Sequence, residues 1–146
     1  MKDAGASVRI MGSGSKKSYR GKRGSADVAA DASADKVEAS QFDAIIVPGV
    51  YAPDKMRLHQ PTIDLVRKAH AEGKIIPAIC HGPQFLISTD IVRGRRLTSW
   101  PSVAIDLKNA GVISVDEPIV SDGNIITSRK PADVSKFSKA IIEALL

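Results

Sequence analysis

The fold of this chain is decided by the stretch Lys74-Ile75-Ile76-Pro77-Ala78-Ile79-Cys80-His81-Gly82-Pro83-Gln84. Residues 75–79 form an apolar run that predicts a buried strand, and the Gly-Pro pair after His81 predicts the start of a helix. A sharp turn from strand to helix raises its residues above the carboxyl edge of a parallel sheet, where α/β proteins place their reactive groups. The stretch therefore predicts an α/β fold with a nucleophile elbow at Cys80.

Cys80 is the only cysteine of the chain. At such a turn its thiol faces the unpaired N–H groups at the start of the following helix, which favour the thiolate. Gly82, two residues later, leaves room for a tight turn. The alternative is that Cys80 is a small buried apolar residue without a chemical role, as single cysteines often are. The local spacing leaves both interpretations open.

The composition is typical of one globular domain. The chain has 146 residues, of which 43% are hydrophobic and 25% are charged, and this length is enough for a single core. Its apolar runs are too short to span a bilayer, and residues 1–12 lack the apolar centre of a signal peptide. A single cysteine excludes an internal disulfide and agrees with a reducing compartment. We therefore expect a cytoplasmic protein with no membrane partner.

Positive charge is concentrated in residues 1–24, which carry +6 while the rest of the chain sums to −1, giving the net charge of +5. Basic segments can bind nucleic acid. This one contains a single aromatic residue, Tyr19, and no signature of a nucleic-acid-binding fold. We expect a solvated loop and no nucleic-acid partner. No group of Cys and His residues has the spacing of metal ligands, so neither a metal nor a cofactor is predicted.

Apolar patterns predict that strands and helices alternate along the chain. Strands are predicted at residues 8–11, 25–30, 42–47, 75–79, 117–120 and 125–128. Helices are predicted at residues 61–72, 83–89, 102–110 and 131–146. A strand, a helix and a second strand with short connections imply parallel pairing. The order therefore predicts a flavodoxin-like three-layer α/β sandwich with a mostly parallel sheet, formed as a single domain by residues 1–146.

Four motifs of the chain lie at residues 78–84, 93–101, 109–111 and 120–131. The first, Ala-Ile-Cys-His-Gly-Pro-Gln, closely resembles the nucleophile motif of the PfpI-type proteins. These are intracellular cysteine peptidases and deglycases of the class I glutamine-amidotransferase-like superfamily. The resemblance continues through the other three motifs and covers nearly the whole chain from Arg20 onward. It implies the flavodoxin-like fold, a homo-oligomer (a dimer or a hexamer) and the catalytic residues that follow.

The resemblance implies that Cys80 is the nucleophile and that His81 is the base. In the family, a carboxylate on the loop after the Pro-Gly strand end reaches the histidine of a neighbouring subunit, and Asp54 falls at that position. Such a carboxylate fixes the tautomer of the imidazole and stabilises its charged form. The alternative is that Asp54 caps or charges the start of a short helix.

Gly49, Val50 and Trp100 complete the candidate site. The resemblance implies that the N–H of Val50 binds an oxyanion together with that of His81. The family has a second glycine where this chain has Val50, and a β-branched residue is poorly suited to positive φ, so we expect a reshaped oxyanion hole. Trp100 stands where the family has an aromatic residue that lines the mouth of the active site; a packing role is the alternative.

Two further histidines receive no catalytic role: His59 is expected at the surface, and His70 partly buried on its helix. The first strand of the family, with a glutamate that bonds to the nucleophile, has no counterpart in this sequence. We therefore expect an N-terminally short family domain, in which catalytic activity can be impaired because an unpaired strand edge and apolar surface are exposed.

Together these features predict a cysteine-dependent hydrolase of peptides or of glycated substrates carrying methylglyoxal adducts. Both reactions begin with attack of a Cys80 thiolate on an electrophilic carbon, so the residues do not separate them. One alternative is a redox-sensing or chaperone-like stress protein, in which Cys80 is oxidised and turnover is incidental. Another is an inactive fragment that folds only as an oligomer.

Overall fold

The computed structural model describes residues 1–12, 14, 18–21 and 27–146. The first two residues of the strand predicted at 25–30 lie outside the described residues. So do four side chains of the basic segment that was predicted to be a solvated loop: Lys16, Lys17, Lys22 and Arg23.

Five α-helices and nine short strands are present in the described part of the chain. The helices are α1 (Ala52–Met56), α2 (Gln60–Ala71), α3 (Gly82–Ile87), α4 (Ala104–Asn109) and α5 (Val134–Leu145). The strands are β1 (Met11–Gly12), β2 (Ser18–Arg20), β3 (Asp27–Ala29), β4 (Ala32–Ser33), β5 (Ile76–Ile79), β6 (Arg96–Leu97), β7 (Ile113–Ser114), β8 (Ile119–Asp122) and β9 (Ile125–Ser128). None of these helices is both long and apolar enough to cross a membrane.

A three-stranded sheet with the order β5-β9-β8 supports the candidate site. β5 runs parallel to β9, and β9 pairs antiparallel with β8. Only two residues, Gly123 and Asn124, separate β8 from β9, and Gly123 has a φ of 59°. Glycine takes this conformation without strain, as the first central residue of a type II′ hairpin turn requires. This tight turn sets the register, so that β8 begins at Ile119 rather than at the predicted residue 117.

Helices cover both faces of this sheet. Ile125 and Ile126 are neighbours on β9 and point to opposite faces, because side chains alternate along a strand. Ile125 belongs to the larger core cluster, which includes residues of α2, α3 and α4. Ile126 packs on the other face against Phe137 and Ile141 of α5. With its mostly parallel strand pairs, this three-layer arrangement confirms the predicted flavodoxin-like α/β sandwich.

The strand predicted at residues 42–47 is less regular than expected. Two isolated parallel bridges join it to β5 and its flank: Ala44–Ile75 and Val47–Ala78. Between these bridges lies Pro77, which has no backbone N–H, so one hydrogen bond of the ladder cannot form. On the opposite side, the N–H groups of Ala44 and Ile46 have no acceptor among the described residues. Residues 44–47 therefore form an edge of the sheet with an interrupted ladder.

The short strands β2, β4, β6 and β7 were not predicted, and further differences lie at the ends of predicted elements. The strand predicted at residues 8–11 begins only at Met11, because Asp31 takes up both backbone groups of Ile10. The N–H of Ile10 donates to the carboxylate of Asp31, and the N–H of Asp31 donates to the carbonyl of Ile10, each at 2.7 Å. The helices predicted at 102–110 and 131–146 begin with the 3₁₀ turns Pro101–Val103 and Pro131–Asp133. Tight 3₁₀ turns are common at the ends of helices, and proline is well tolerated in a first turn.

The open edge at residues 44–47 predicts edge-to-edge association. The Ile46 side chain is 41% exposed there, and an apolar edge with unpaired backbone groups can pair with another chain, which lysine prevents. We expect Ile46→Lys to slow the growth of turbidity on warming without lowering the urea midpoint. The matched control is Ile105→Lys, because Ile105 is 59% exposed on α4, away from the edge. Equal slowing by both substitutions would show that charge alone, and not the edge, is responsible.

Candidate active site

Cys80 sits in a sharp turn between β5 and α3. Its φ is 63°, a left-handed conformation that is uncommon for residues other than glycine. Two hydrogen bonds hold its backbone: its N–H donates to the carbonyl of Ser128, and its carbonyl accepts from the N–H of Trp100, both at 2.9 Å. Such strain costs about 1–3 kcal/mol and persists only where the surroundings enforce it. The predicted nucleophile elbow is confirmed.

Two glycines make this turn possible. A Cβ placed on Gly82 would lie 2.6 Å from the carbonyl oxygen of Val47. A Cβ placed on Gly49 would lie 2.8 Å from the Cβ of Cys80. Because real Cβ atoms do not come this close to other heavy atoms, the loop after residue 47 can approach the elbow only where side chains are absent. The crowding predicted at Gly82 is confirmed.

The side chains of Cys80 and His81 lie in contact. The Sγ atom of Cys80 is 3.2 Å from Nδ1 of His81, and both residues are half-buried, so solvent reaches them. Adjacent side chains in a chain commonly diverge, so their position in the sequence did not establish this contact. At this distance a proton can pass from the thiol to the imidazole.

Trp100 lies over the imidazole of His81. The two rings are stacked, with centroids 6.1 Å apart and an angle of 22° between their planes. The Trp100 residue is 37% exposed, so its ring also faces solvent beside the elbow. The geometry agrees with the predicted place of Trp100 at the mouth of the site.

The loop after the bridge at Val47 presents Val50 in a strained conformation. Val50 has a φ of 63°, which is unfavourable for a β-branched residue. The backbone N–H groups of Val50 and His81 donate to no acceptor among the described residues. These two N–H groups are therefore available to a bound oxygen atom. Val50 thus adopts a conformation that glycine takes more readily, and the reshaped oxyanion hole expected from the sequence stays a prediction.

Asp54 does not contact His81 within the chain. It is exposed in the first turn of α1, and no hydrogen bond or ion pair to it is found among the described residues. The N-terminus of α1 has no side-chain capping hydrogen bond, so Asp54 can favour this helix only through its charge. The predicted contact with a histidine of a neighbouring subunit stays a prediction.

The other histidines lie away from the elbow. His59 precedes α2, and its Nδ1 is 2.7 Å from the hydroxyl of Thr62, so it is tied to the helix it precedes rather than simply solvated. His70 is partly buried as predicted, and its Nε2 is buried without a hydrogen-bond partner among the described residues. Burial, and then the positive charge of Arg95, lower the pKa of His70 below its ordinary value of 6.5.

Ser128 is a site residue that the sequence did not indicate. Its carbonyl accepts the N–H of Cys80, and its own hydroxyl is buried without a described partner. Only the pairing of β9 with β5, which places Ser128 opposite Ile79, brings it to the elbow. The apolar pattern of residues 125–128 predicts a strand, but it does not say which residues of another strand lie opposite.

A concave region of about 350 Å³ lies along α3 and is lined in part by Arg57 and Gln84, but not by Cys80 or His81. Cys80 and His81 are both half-buried, so solvent reaches them. Among the described residues, no group of three or more His, Cys, Asp or Glu side chains is arranged to hold a metal ion.

Comparison with known proteins identifies close relatives. The model of the DJ-1/PfpI family matches residues 1–144. The chain is 43% identical over 118 residues to Deglycase PH1704 of Pyrococcus horikoshii, and this match covers 81% of this chain and 71% of that protein. It is 41% identical over 130 residues to Protein/nucleic acid deglycase 2 of Escherichia coli, and this match covers 88% of this chain and 76% of that protein.

Among solved structures, a two-domain protein from Anabaena variabilis contains a DJ-1/ThiJ/PfpI-like domain and a ferritin-like domain. It overlays on 99% of this chain with a TM-score of 0.95 and 44% sequence identity. This chain spans 43% of that longer protein.

Substitution of Gly82 tests the steric basis of the elbow. We expect Gly82→Ala to cost about 1–3 kcal/mol of stability, because its Cβ collides with backbone, and to slow alkylation of Cys80 by iodoacetamide. Gly73→Ala is the matched control. Gly73 has nothing within 4 Å of an added Cβ but a φ of 75°, so it should lose about 1 kcal/mol through backbone strain alone and keep its alkylation rate. Normal alkylation in Gly82→Ala would contradict the steric argument.

His70 predicts a loss of stability in mild acid. Unfolded His70 binds a proton near its ordinary pKa, whereas folded His70 binds one only at lower pH. Between these values the unfolded state holds more protons, so stability falls as the pH drops below about 6.5. We expect the urea midpoint to fall between pH of about 7.5 and about 5.5 more in wild type than in His70→Gln. Equal falls would assign the acid sensitivity to other groups.

Proposed function

Because the chain belongs to the DJ-1/PfpI family, we propose that it is a cysteine-dependent hydrolase of glycated substrates or peptides. The observation that carries this proposal is Cys80 at the elbow, in a left-handed conformation, with its Sγ 3.2 Å from Nδ1 of His81. A strained turn that exposes a thiol beside a base is the arrangement that nucleophilic catalysis needs. An inert buried cysteine requires neither the strain nor the base.

In the proposed reaction the thiol of Cys80 gives its proton to His81, and the thiolate attacks the electrophilic carbon of the substrate. With a peptide, the C–N bond of the tetrahedral adduct then breaks, and His81 returns the proton to the departing amine. Water attacks the resulting thioester, which releases a carboxylic acid and restores the thiol. With a methylglyoxal hemiaminal, the thiolate displaces the amine from the carbinol carbon, and His81 gives its proton to the departing amine. The hemithioacetal that remains becomes a lactoyl thioester by an internal proton shift through an enediol, without an external oxidant, and water then releases lactate and restores the thiol.

The proposed oxyanion donors are the backbone N–H groups of Val50 and His81. Two observations support this: both N–H groups lack an acceptor in the described part of the chain, and a Cβ on Gly49 would lie only 3.3 Å from the N of His81. The two donors therefore belong to loops that meet beside the nucleophile. Preorganised donors of this kind are among the largest contributions to catalysis of acyl transfer.

Glycated substrates are favoured over peptides by the relatives. Two relatives that share 43% and 41% of their residues with this chain over the matched regions are named deglycases. Neither name describes a redox sensor, so hydrolysis is favoured over the alternative of an oxidisable stress protein. The residues themselves serve either substrate, because thiolate attack is common to both.

We further propose that the active form is a cytoplasmic homo-oligomer in which a neighbouring chain closes the site. The partial exposure of Cys80 and His81 supports this, because binding sites normally surround most of their ligand. Asp54, exposed and without a described partner in its own chain, would then orient the imidazole of a neighbouring His81. Each chain would contribute its own nucleophile and its neighbour's carboxylate.

The test is hydrolysis of methylglyoxal-modified N-acetylarginine, with a fluorogenic peptide assayed in parallel. We expect Cys80→Ser to lower turnover by about 10³-fold or more and His81→Gln by about 10²-fold. Because adducts lose methylglyoxal spontaneously, a reaction without protein sets the background that is subtracted from every variant. Free methylglyoxal is assayed separately to detect action on the released compound. Turnover by Cys80→Ser equal to that of wild type would exclude a cysteine-dependent hydrolase.

A further inference from the structure

The imidazole of His81 has two described contacts within its own chain, one at an edge and one at a face. At the edge, Nδ1 meets the Sγ of Cys80. At the face, the ring lies against the indole of Trp100. No described residue forms a hydrogen bond with Nε2, the ring nitrogen away from the sulfur. An orienting group binds the nitrogen that does not face the nucleophile, and within the described part of this chain that nitrogen has no such partner.

We propose that Trp100 is the residue of the same chain that positions His81, acting on the face of the ring while a neighbour's Asp54 would act at its far nitrogen; this inference rests on the proposed roles of Cys80 and His81. The second torsion of a histidine side chain has a broad, roughly two-fold preference. Without a hydrogen bond at its far nitrogen, the ring can turn so that Nδ1 leaves the sulfur. The large face of the indole limits that rotation, because turning the imidazole across the stack would force the two rings together.

Transfer of the thiol proton needs the two side chains to be aligned. The stacked ring keeps Nδ1 of His81 at 3.2 Å from Sγ of Cys80. Trp100 therefore acts on the reaction through the alignment of these two side chains.

The backbone fixes the position of the indole independently of its ring. The N–H of Trp100 donates to the carbonyl of Cys80 at 2.9 Å, and its carbonyl accepts from the hydroxyl of Ser99 at 3.1 Å. Side-chain substitutions keep both hydrogen bonds. Variants at residue 100 therefore report on the stacked ring alone, while the elbow retains its anchor.

The first experiment measures alkylation of Cys80 by iodoacetamide, which requires no enzyme substrate. We expect Trp100→Leu, which keeps apolar bulk but has no aromatic face, to lower the alkylation rate near neutral pH by about two- to fivefold. Trp100→Phe should stay within about twofold of wild type, because a smaller aromatic face remains. Ile105→Ala is the control, since Ile105 is exposed on α4, and its rate should not change.

The second experiment uses the fluorescence of Trp100, which is the only tryptophan of the chain. A histidine ring stacked beside an indole quenches its emission. We expect His81→Gln to raise the emission, because the substitution removes the stacked ring. Equal emission from wild type and a folded His81→Gln protein would show that the stack does not form in solution, and would overturn the proposal.

Turnover then separates positioning from substrate contact. If Trp100 positions His81, Trp100→Leu lowers kcat and leaves KM nearly unchanged, whereas a residue that only binds substrate raises KM. Unchanged alkylation in a folded Trp100→Leu protein, together with a raised KM, would overturn the positioning role. If no variant or wild type turns over any substrate, the proposed function fails, but the alkylation and fluorescence results still decide whether Trp100 orients His81.

Discussion

The backbone of Cys80 carries the constraint on which the site depends. A left-handed residue other than glycine is held there by hydrogen bonds to Ser128 on one side and Trp100 on the other. The bond to Ser128 could not form unless β9 paired with β5 in its observed register, since that register brings Ser128 level with Ile79. The free energy stored in the elbow is small beside the burial of the sheet between its helices. The fold can therefore impose this local strain.

The same constraint explains which positions around the elbow tolerate side chains. Gly49 and Gly82 face backbone or Cβ atoms at distances that exclude a Cβ of their own. Val50 has a similar φ to Cys80, yet its side chain is 47% exposed. The free-energy cost of valine at residue 50 therefore comes from its backbone conformation and not from a collision of its side chain. This is why valine can replace glycine at residue 50, at the cost of strain, while glycine is required at 49 and 82.

Much of this arrangement could be predicted from the sequence, because it depends on short-range signals. The apolar run at residues 75–79, followed by Cys80 and a Gly-Pro pair, specified the strand, the turn and the helix. The hairpin register, the interrupted ladder and the role of Ser128 could not be predicted. Each depends on which chain segments lie side by side. Pro77 interrupts the ladder only because residues 44–47 lie next to it, on the side where a backbone N–H would otherwise donate. Asp54 belongs to the same class, because its proposed partner lies on another chain.

The interrupted ladder has a consequence for the oxyanion loop. Among the described residues, the segment 44–47 is joined to β5 and has no strand partner on its other side, and Pro77 removes one hydrogen bond from the side that is joined. This segment leads directly to Gly49 and Val50, whose backbone must lie against Cys80. An edge segment with few hydrogen bonds opens more readily than a central strand. The backbone of Cys80 is thus held by hydrogen bonds to Ser128 of β9 and to Trp100. The loop that offers the N–H of Val50 is instead supported by residues 44–47, whose ladder to β5 is interrupted. Catalytic competence depends on how well that edge is held, and a neighbouring chain that closes the site would hold it.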